Sequence, residues 1–210
     1  MITVNCQSSI KIVDDKTIYI DPLKVENTHD ADYIFITHTH WDHFSIEDIT
    51  NIKKENTTII GPFDMKRDCL ALGFSESQIL IMKPYQKVKL ETINVQTIPA
   101  YNLAKEYHPK RNNWLGYLLV INNTTYYIAG DTDVLEENER ISCDVAFLPI
   151  GGTYTMTATE AASFINKIKP KKVIPVHYGL VVGSKENVME LRKLVSQEIQ
   201  IEDIIAYPAA

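Results

Sequence analysis

The apolar run Tyr33 to Ile36 ends abruptly in Thr37-His38-Thr39-His40-Trp41-Asp42-His43-Phe44, and this junction constrains the chain more than any other stretch. Half of the six histidines and one aspartate fall within six positions. A strand that delivers imidazoles and a carboxylate at its end places transition-metal donors at the mouth of a sheet. Side chains of an extended segment alternate faces, so His38 and His40 point the same way and can share one ion. Asp42 and His43 follow where the chain must turn, and they can aim at a second ion. The competing reading is a histidine-rich surface turn, against which the density and spacing weigh.

Composition enters as a filter. The chain has 210 residues, 45% hydrophobic and 23% charged, which predicts one well-buried domain over residues 1–210. A net charge of −6 offers no general attraction to phosphate backbones, so nucleic acid is disfavoured as a partner. No apolar run approaches the roughly 20 residues that span a bilayer, and the start lacks a basic segment followed by an apolar core. The expectation is a cytoplasmic protein without a membrane segment. Cys6, Cys69 and Cys143 are scattered without metal or disulfide spacing and are read as small core fillers in a reducing compartment.

Taken in order, the chain opens with short strands, Ile2 to Cys6, Ile10 to Val13 and Thr17 to Ile20, with Asp14-Asp15-Lys16 as a hairpin turn. After the histidine motif, Ser45 caps a helix through Asn51, and a strand runs from Thr57 to Ile60. Gly61-Pro62 starts a helix that stops at Gly73, followed by a strand from Gln78 to Met82. Lys87 to Leu90 and Ile93 to Ile98 read as paired strands of the first sheet. Asn102 to Trp114 is a polar loop carrying Lys105, Lys110 and Arg111, long enough for a functional role to be the default. Its cations can hold an anionic substrate group or be merely solvated.

Trp114 to Ile121 and Thr124 to Ala129 are strands joined by Asn122-Asn123, a strong hairpin signal. The second ends in Gly130-Asp131-Thr132-Asp133, where the glycine lets a carboxylate approach a ligand closely; Asp133 is read as a cap of the following turn. Val145 to Pro149 enters Gly151-Gly152-Thr153-Tyr154-Thr155-Met156. Thr153 and Tyr154 either face a substrate pocket or play a structural part. Thr157-x-x-Glu160 is a capping box for a helix over Ala158 to Ile168. Val173 to Val176 delivers His177, either a metal ligand or a core histidine. Ser184 caps a last helix, Lys185 to Val195, and Ile199 to Ile205 is expected to close the sheet.

His38-x-His40-x-Asp42-His43 resembles the metal-binding signature of the metallo-β-lactamase superfamily. That resemblance implies an α/β, four-layer αβ/βα sandwich with one or two metal ions, and it spans essentially the whole chain. It implies Asp131 as a carboxylate bridging two ions, His177 as the last metal histidine, and Asp21 as a residue that orients a ligand histidine through its second nitrogen. For Asp21 the plainer reading, an aspartate starting a turn before Pro22, stays open.

The chain departs from the pattern at one place. Where many members carry a histidine after the strand ending Ile98-Pro99-Ala100, this chain has Tyr101. His108, seven residues on, is the missing ligand, a substrate-facing acid or base, or a surface residue. Pro99-Ala100-Tyr101-Asn102, His108-Pro109-Lys110, Gly130-Asp131-Thr132-Asp133 and Gly151 to Met156 are similar to a small prokaryotic subgroup of zinc-dependent hydrolases related to the L-ascorbate-6-phosphate lactonase branch.

The function implied is a metal-dependent hydrolase of an ester, lactone or phosphoester of a small anionic molecule. His38, His40, Asp42, His43, His108, Asp131 and His177 would hold two divalent ions, zinc first, with manganese or iron as alternatives. A water held by the ions becomes hydroxide near neutral pH, and Asp42 and Asp131 are the catalytic carboxylates. Asp21, Tyr101, Lys110, Arg111, Thr153 and Tyr154 surround them or meet the substrate. A nuclease or phosphodiesterase and a non-hydrolytic metal-binding protein are the alternatives. A redox di-iron role is disfavoured, because His40 stands where oxygen-reducing relatives carry glutamate. Neither substrate nor oligomeric state follows from the motif, since specificity lives in loops.

Overall fold

The protein is described by a computed structural model for residues 1–206; residues 207–210, the end of the expected domain, lie outside the described part. The described chain divides into two compact units, Met1–Lys83 with Ile205 and Ala206, and Pro84–Ile204.

In the first unit six strands form one sheet in chain order: β1 (Ile2–Val4), β2 (Ile10–Val13), β3 (Thr17–Ile20), β4 (Ala31–Phe35), β5 (Lys53–Gly61) and β6 (Ile79–Ile81). Alternation drives the first strands. In β2, Ile10 and Ile12 are buried while Lys11 and Val13 are half-buried. Strands β1 to β3 are antiparallel and β3 to β6 parallel. The parallel steps from β4 to β6 require crossovers, supplied by α1 (Ile46–Ile52) and α2 (Lys66–Ala71). Ser45 Oγ accepts from the Asp48 amide at 3.3 Å and starts α1. Gly73, at φ +81°, closes the turn after α2. Ile34, Ile36, Ile49, Ile52, Ile59, Met65 and Cys69 form one core, each buried aliphatic contributing about 1.5–3 kcal/mol of transfer free energy.

In the second unit seven strands lie in the order β13-β12-β11-β10-β9-β8-β7, with β7 (Lys87–Leu90), β8 (Ile93–Pro99), β9 (Leu115–Ile121), β10 (Thr124–Ile128), β11 (Val145–Pro149), β12 (Lys172–Val176) and β13 (Gln200–Ile201). The run from β7 to β10 is antiparallel, and β10 to β13 is parallel. Asn122 and Asn123 both take positive φ, 45° and 62°, as a two-residue turn with the right twist demands. Helix α3 (Ala158–Ile168) starts at the Thr157–Glu160 capping box, and α4 (Lys185–Leu194) starts at Ser184. Phe164 of α3 lies edge-on to the buried Tyr127 of β10, with ring centroids 6.3 Å apart.

The observed fold departs from the sequence-based expectations at two places. The strands Lys87–Leu90 and Ile93–Pro99 belong to the second sheet, because β8 hydrogen-bonds along its length to β9. The segment expected to close a sheet from Ile199 to Ile205 is a strand only at Gln200–Ile201; Ile205 instead bridges Val4 at the edge of the first sheet. Polar Glu202 and Asp203 interrupt the apolar run between them.

The pairing positions the chemistry. Strands β1 and β3 run alike, since each is antiparallel to β2, and β4 is parallel to β3. The carboxyl ends of β1, β3 and β4 therefore share one edge of the first sheet, and Gln7, Asp21 and the Thr37–His43 motif follow them. In the second sheet β8 and β10 run alike and β12 is parallel to β10 through β11, so Asn102, Asp131 and His177 emerge at one edge. Carboxyl edges of parallel strands are where α/β folds place ligands. Among the described residues, no helix is long and apolar enough to cross a membrane.

Candidate metal centre

On the first unit, Asp21 is the anchor. Its Oδ1 accepts from the Thr37 amide at 2.8 Å, and its Oδ2 accepts from Thr37 Oγ1 at 2.6 Å and from His43 Nδ1 at 2.8 Å. Burial holds the Asp21 carboxyl above the usual carboxylate range, against the downward pull of His43 and Thr37. With its Nδ1 proton directed at Asp21, His43 presents Nε2 as the donor face, 3.6 Å from Asp42 Oδ2. His38 Nε2 and His40 Nδ1 come within 3.0 Å of each other. Gln7, fully buried, donates Nε2 to Asp42 Oδ2 at 3.3 Å.

On the second unit, His177 Nε2 lies 2.9 Å and His108 Nε2 lies 3.3 Å from the same oxygen, Asp131 Oδ2, and all three side chains are buried. Gly130, at φ +65°, turns the chain out of β10 to present Asp131. His177 itself sits at φ 55°, so the chain leaves β12 in a left-handed kink that aims the ring back over the strand ends. A Cβ on Gly151 would stand 2.4 Å from the His177 carbonyl oxygen, so only glycine admits this approach.

Gln7 and Asp21 also hold positive φ, 48° and 46°. Left-handed backbone at non-glycine residues costs on the order of 1–3 kcal/mol each and clusters at functional sites. Of the ten non-glycine residues with positive φ among the described residues, these three contact the histidine–aspartate clusters or belong to them. Imidazole nitrogens converging on carboxylate oxygens form a donor set that fits zinc, manganese or iron, and the second nitrogens of His43 and His108 are held by acceptors, as metal-bound imidazoles require.

Residues 5–177 match the family described as the beta-lactamase superfamily domain. The chain belongs to the metallo-β-lactamase superfamily. This superfamily chain is 30% identical over 201 residues to a protein of Pyrococcus abyssi named UPF0173 metal-dependent hydrolase, covering 89% of this chain and 88% of that one. A Pyrococcus furiosus protein of the same name is 29% identical over 201 residues with the same coverage. A crystal structure from Parabacteroides distasonis superposes with a TM-score of 0.83 at 28% identity, covering 97% of this chain and 91% of that one. The metallo-β-lactamase fold protein YhfI of Bacillus subtilis, at 13% identity, superposes with a TM-score of 0.73 over 97% of this chain and 95% of that one. Two mixed sheets with their helices are thus the α/β metallo-β-lactamase fold.

Tyr101 is buried; its hydroxyl donates to Glu137 Oε1 at 3.1 Å and accepts from Lys110 Nζ at 2.9 Å. Arg111 and Thr153 are exposed. Tyr154 is half-buried, edge-on to Tyr107 with ring centroids 4.6 Å apart. Lys105 bonds to Asp133 Oδ1 at 2.5 Å and to the Thr155 carbonyl at 2.8 Å. Asp133, expected to cap the following turn, turns its carboxylate instead to the preceding loop, where it gathers Asn102, Leu103 and Lys105. Sequence reasoning passed over Gln7 and Asn102. Both are neutral amides just past a strand end, a position where an amide can donate and accept together.

Proposed function

We propose that His38, His40, Asp42, His43, His108, Asp131 and His177 hold two divalent ions, zinc first. The chain is a metal-dependent hydrolase, as its Pyrococcus relatives are named. We read it as acting on an ester, lactone or phosphoester of a small molecule, as one domain in the cytoplasm. Supporting the reading above all is the convergence of two buried imidazole nitrogens on one oxygen of Asp131, at 2.9 and 3.3 Å. Burying such a cluster is costly unless charge and hydrogen bonding compensate it, and a cation does so.

When bound, the ions act as Lewis acids on a carbonyl or phosphoryl oxygen and lower the pKa of a coordinated water to about 7. The protein's own groups do the rest. Asp21 holds the proton on His43 Nδ1 and keeps Nε2 as the donor nitrogen. Gln7 fixes the Asp42 carboxylate from the protein side, and Asp42 carries the proton of the attacking water to the leaving group. Asp131 holds the two imidazoles of its unit in one register. Low exposure of all these side chains except His40 excludes bulk water from the donor atoms.

The test is elemental analysis and turnover. The wild-type protein is expected to carry two equivalents of metal, and the His38→Ala, His177→Ala double variant to lose them. The zinc- and manganese-loaded protein is then screened on lactone, thioester, phosphodiester and β-lactam substrates. Unchanged metal content in the double variant overturns the ligand set, and no turnover of any class by the loaded wild type overturns the hydrolytic reading.

A further inference from the structure

Asn102 is the first residue of the long loop after β8, and four contacts decide which way its amide faces. Its Oδ1 accepts from the His108 amide at 3.2 Å and lies 2.9 Å from His108 Nδ1. Its Nδ2 donates to Asp133 Oδ1 and to the Tyr154 carbonyl, both at 3.0 Å. Rotating the amide by half a turn would set its NH2 against the His108 amide hydrogen and its oxygen against a carboxylate and a carbonyl. The network therefore assigns the oxygen to the histidine side. An acceptor facing His108 Nδ1 requires the proton to be there, and Nε2, 3.3 Å from Asp131 Oδ2, is the nitrogen left to meet a metal ion.

We propose that Asn102 is the positioning residue that lets His108 serve as a metal ligand from inside a loop; the proposal rests on the reading of His108 as a ligand. A histidine at a strand end is oriented by the sheet. His108 stands beyond the strand and needs the loop to be fastened. The Asn102 amide donates to the His108 carbonyl at 2.8 Å, so the two residues close the loop through both backbone and side chain. Asp133 then ties the loop down, accepting from Asn102 Nδ2, from the Leu103 amide at 2.9 Å and from Lys105 Nζ at 2.5 Å. The Trp114 ring, 5.6 Å from the His108 ring and edge-on, backs the imidazole.

The residue type follows from the wiring. Position 102 must accept twice on one side and donate twice on the other, which the short amide of asparagine alone does at this reach. Aspartate would keep the acceptor but set a second carboxylate about 3 Å from Asp133, where like charges repel. Glutamine would be one methylene too long.

The experiment compares the full chain with Asn102→Ala, His108→Ala and the exchange Asn102→Asp with Asp133→Asn. Zinc affinity is measured by chelator competition, the His108 Nδ1–H resonance by 15N NMR of the zinc-loaded protein, and folding by melting of the metal-free protein. Asn102→Ala is expected to bind one zinc equivalent about 10–100-fold more weakly and to lose the protected Nδ1–H signal. The exchange variant restores an acceptor at 102 and a donor at 133, and is expected to recover part of both. Wild-type zinc affinity with a retained Nδ1–H signal in Asn102→Ala overturns the proposal, provided His108→Ala weakens binding. Two equivalents at wild-type affinity in His108→Ala overturns instead the ligand reading beneath it. Should Asn102→Ala not fold, the exchange variant decides: a retained Nδ1–H signal supports the positioning role and its loss overturns it.

Discussion

Asp21 Oδ2 lies 2.8 Å from His43 Nδ1, with both side chains fully buried. The same carboxylate takes the amide and hydroxyl of Thr37, so it orders the first turn of the histidine motif as well as one ring within it. Removing it strands three polar groups in a dry interior. Asp21→Ala is expected to destabilise the metal-free chain by roughly 3 kcal/mol, measured by urea unfolding. A loss below about 1 kcal/mol would show that the interaction is dispensable.

Gly151 and His177 make a second pair. A methyl group at 151 would meet the His177 carbonyl at 2.4 Å and Val182 Cγ2 at 2.5 Å, and the carbonyl, being backbone, cannot move without turning the imidazole. Gly151→Ala is expected to lower stability by about 1–3 kcal/mol and to weaken metal binding together with it. Unaltered metal affinity in a folded Gly151→Ala protein would separate the turn from the site.

Acid stability should trace to the surface of the first sheet. Burial alone would raise the Asp30 carboxyl, but hydrogen bonds from Lys11, Thr28 and Tyr19 outweigh it and hold it below the usual range; Asp32 is held down in the same way by Lys54 and the Thr17 amide. A carboxyl depressed in the folded state contributes stability above its unfolded pKa and loses it as pH falls through the folded value. Asp30→Asn with Asp32→Asn should therefore flatten the decline of stability on the acid side of pH 4, followed by urea midpoints across pH 2–6. An equally steep decline in the double variant would assign the acid sensitivity to other groups.

Lys110 lies against Tyr101 and Glu137. Its ammonium reaches Tyr101 Oη at 2.9 Å and Glu137 Oε1 at 3.5 Å, and it is raised above the usual lysine range chiefly by the Tyr101 hydrogen bond. Lys110→Met is expected to leave the melting temperature unchanged. If the lysine holds an anionic substrate, KM rises several-fold at constant kcat; unchanged KM leaves it as a partner of Tyr101 and Glu137 alone.

Much of the architecture was legible because it is written in local chemistry. The Thr157–Glu160 box, the Ser45 and Ser184 caps and the Asn122–Asn123 turn act through groups within four residues of one another, so spacing alone locates them. Sheet membership was less legible. Nothing in Ile93–Pro99 says whether its hydrogen bonds go to the first sheet or to β9, because alternation specifies a strand's faces and not its neighbour.

The same division runs through the site. By itself the sequence singled out the candidate donor atoms, since imidazoles and carboxylates gathered near the ends of apolar strands suit metal ions, and the histidine motif pointed to its family from six positions. What only the tertiary structure decided is how those donors are aimed. The resemblance implied that Asp21 orients a histidine, and the structure identifies it as His43, 22 residues away; Asn102 faces His108 across 6 residues. The left-handed turn at His177 depends on the missing side chain of Gly151. Such orientations arise from contacts between segments far apart in the chain or folded back through a loop, and a hydrogen bond between them has no period or spacing to betray it.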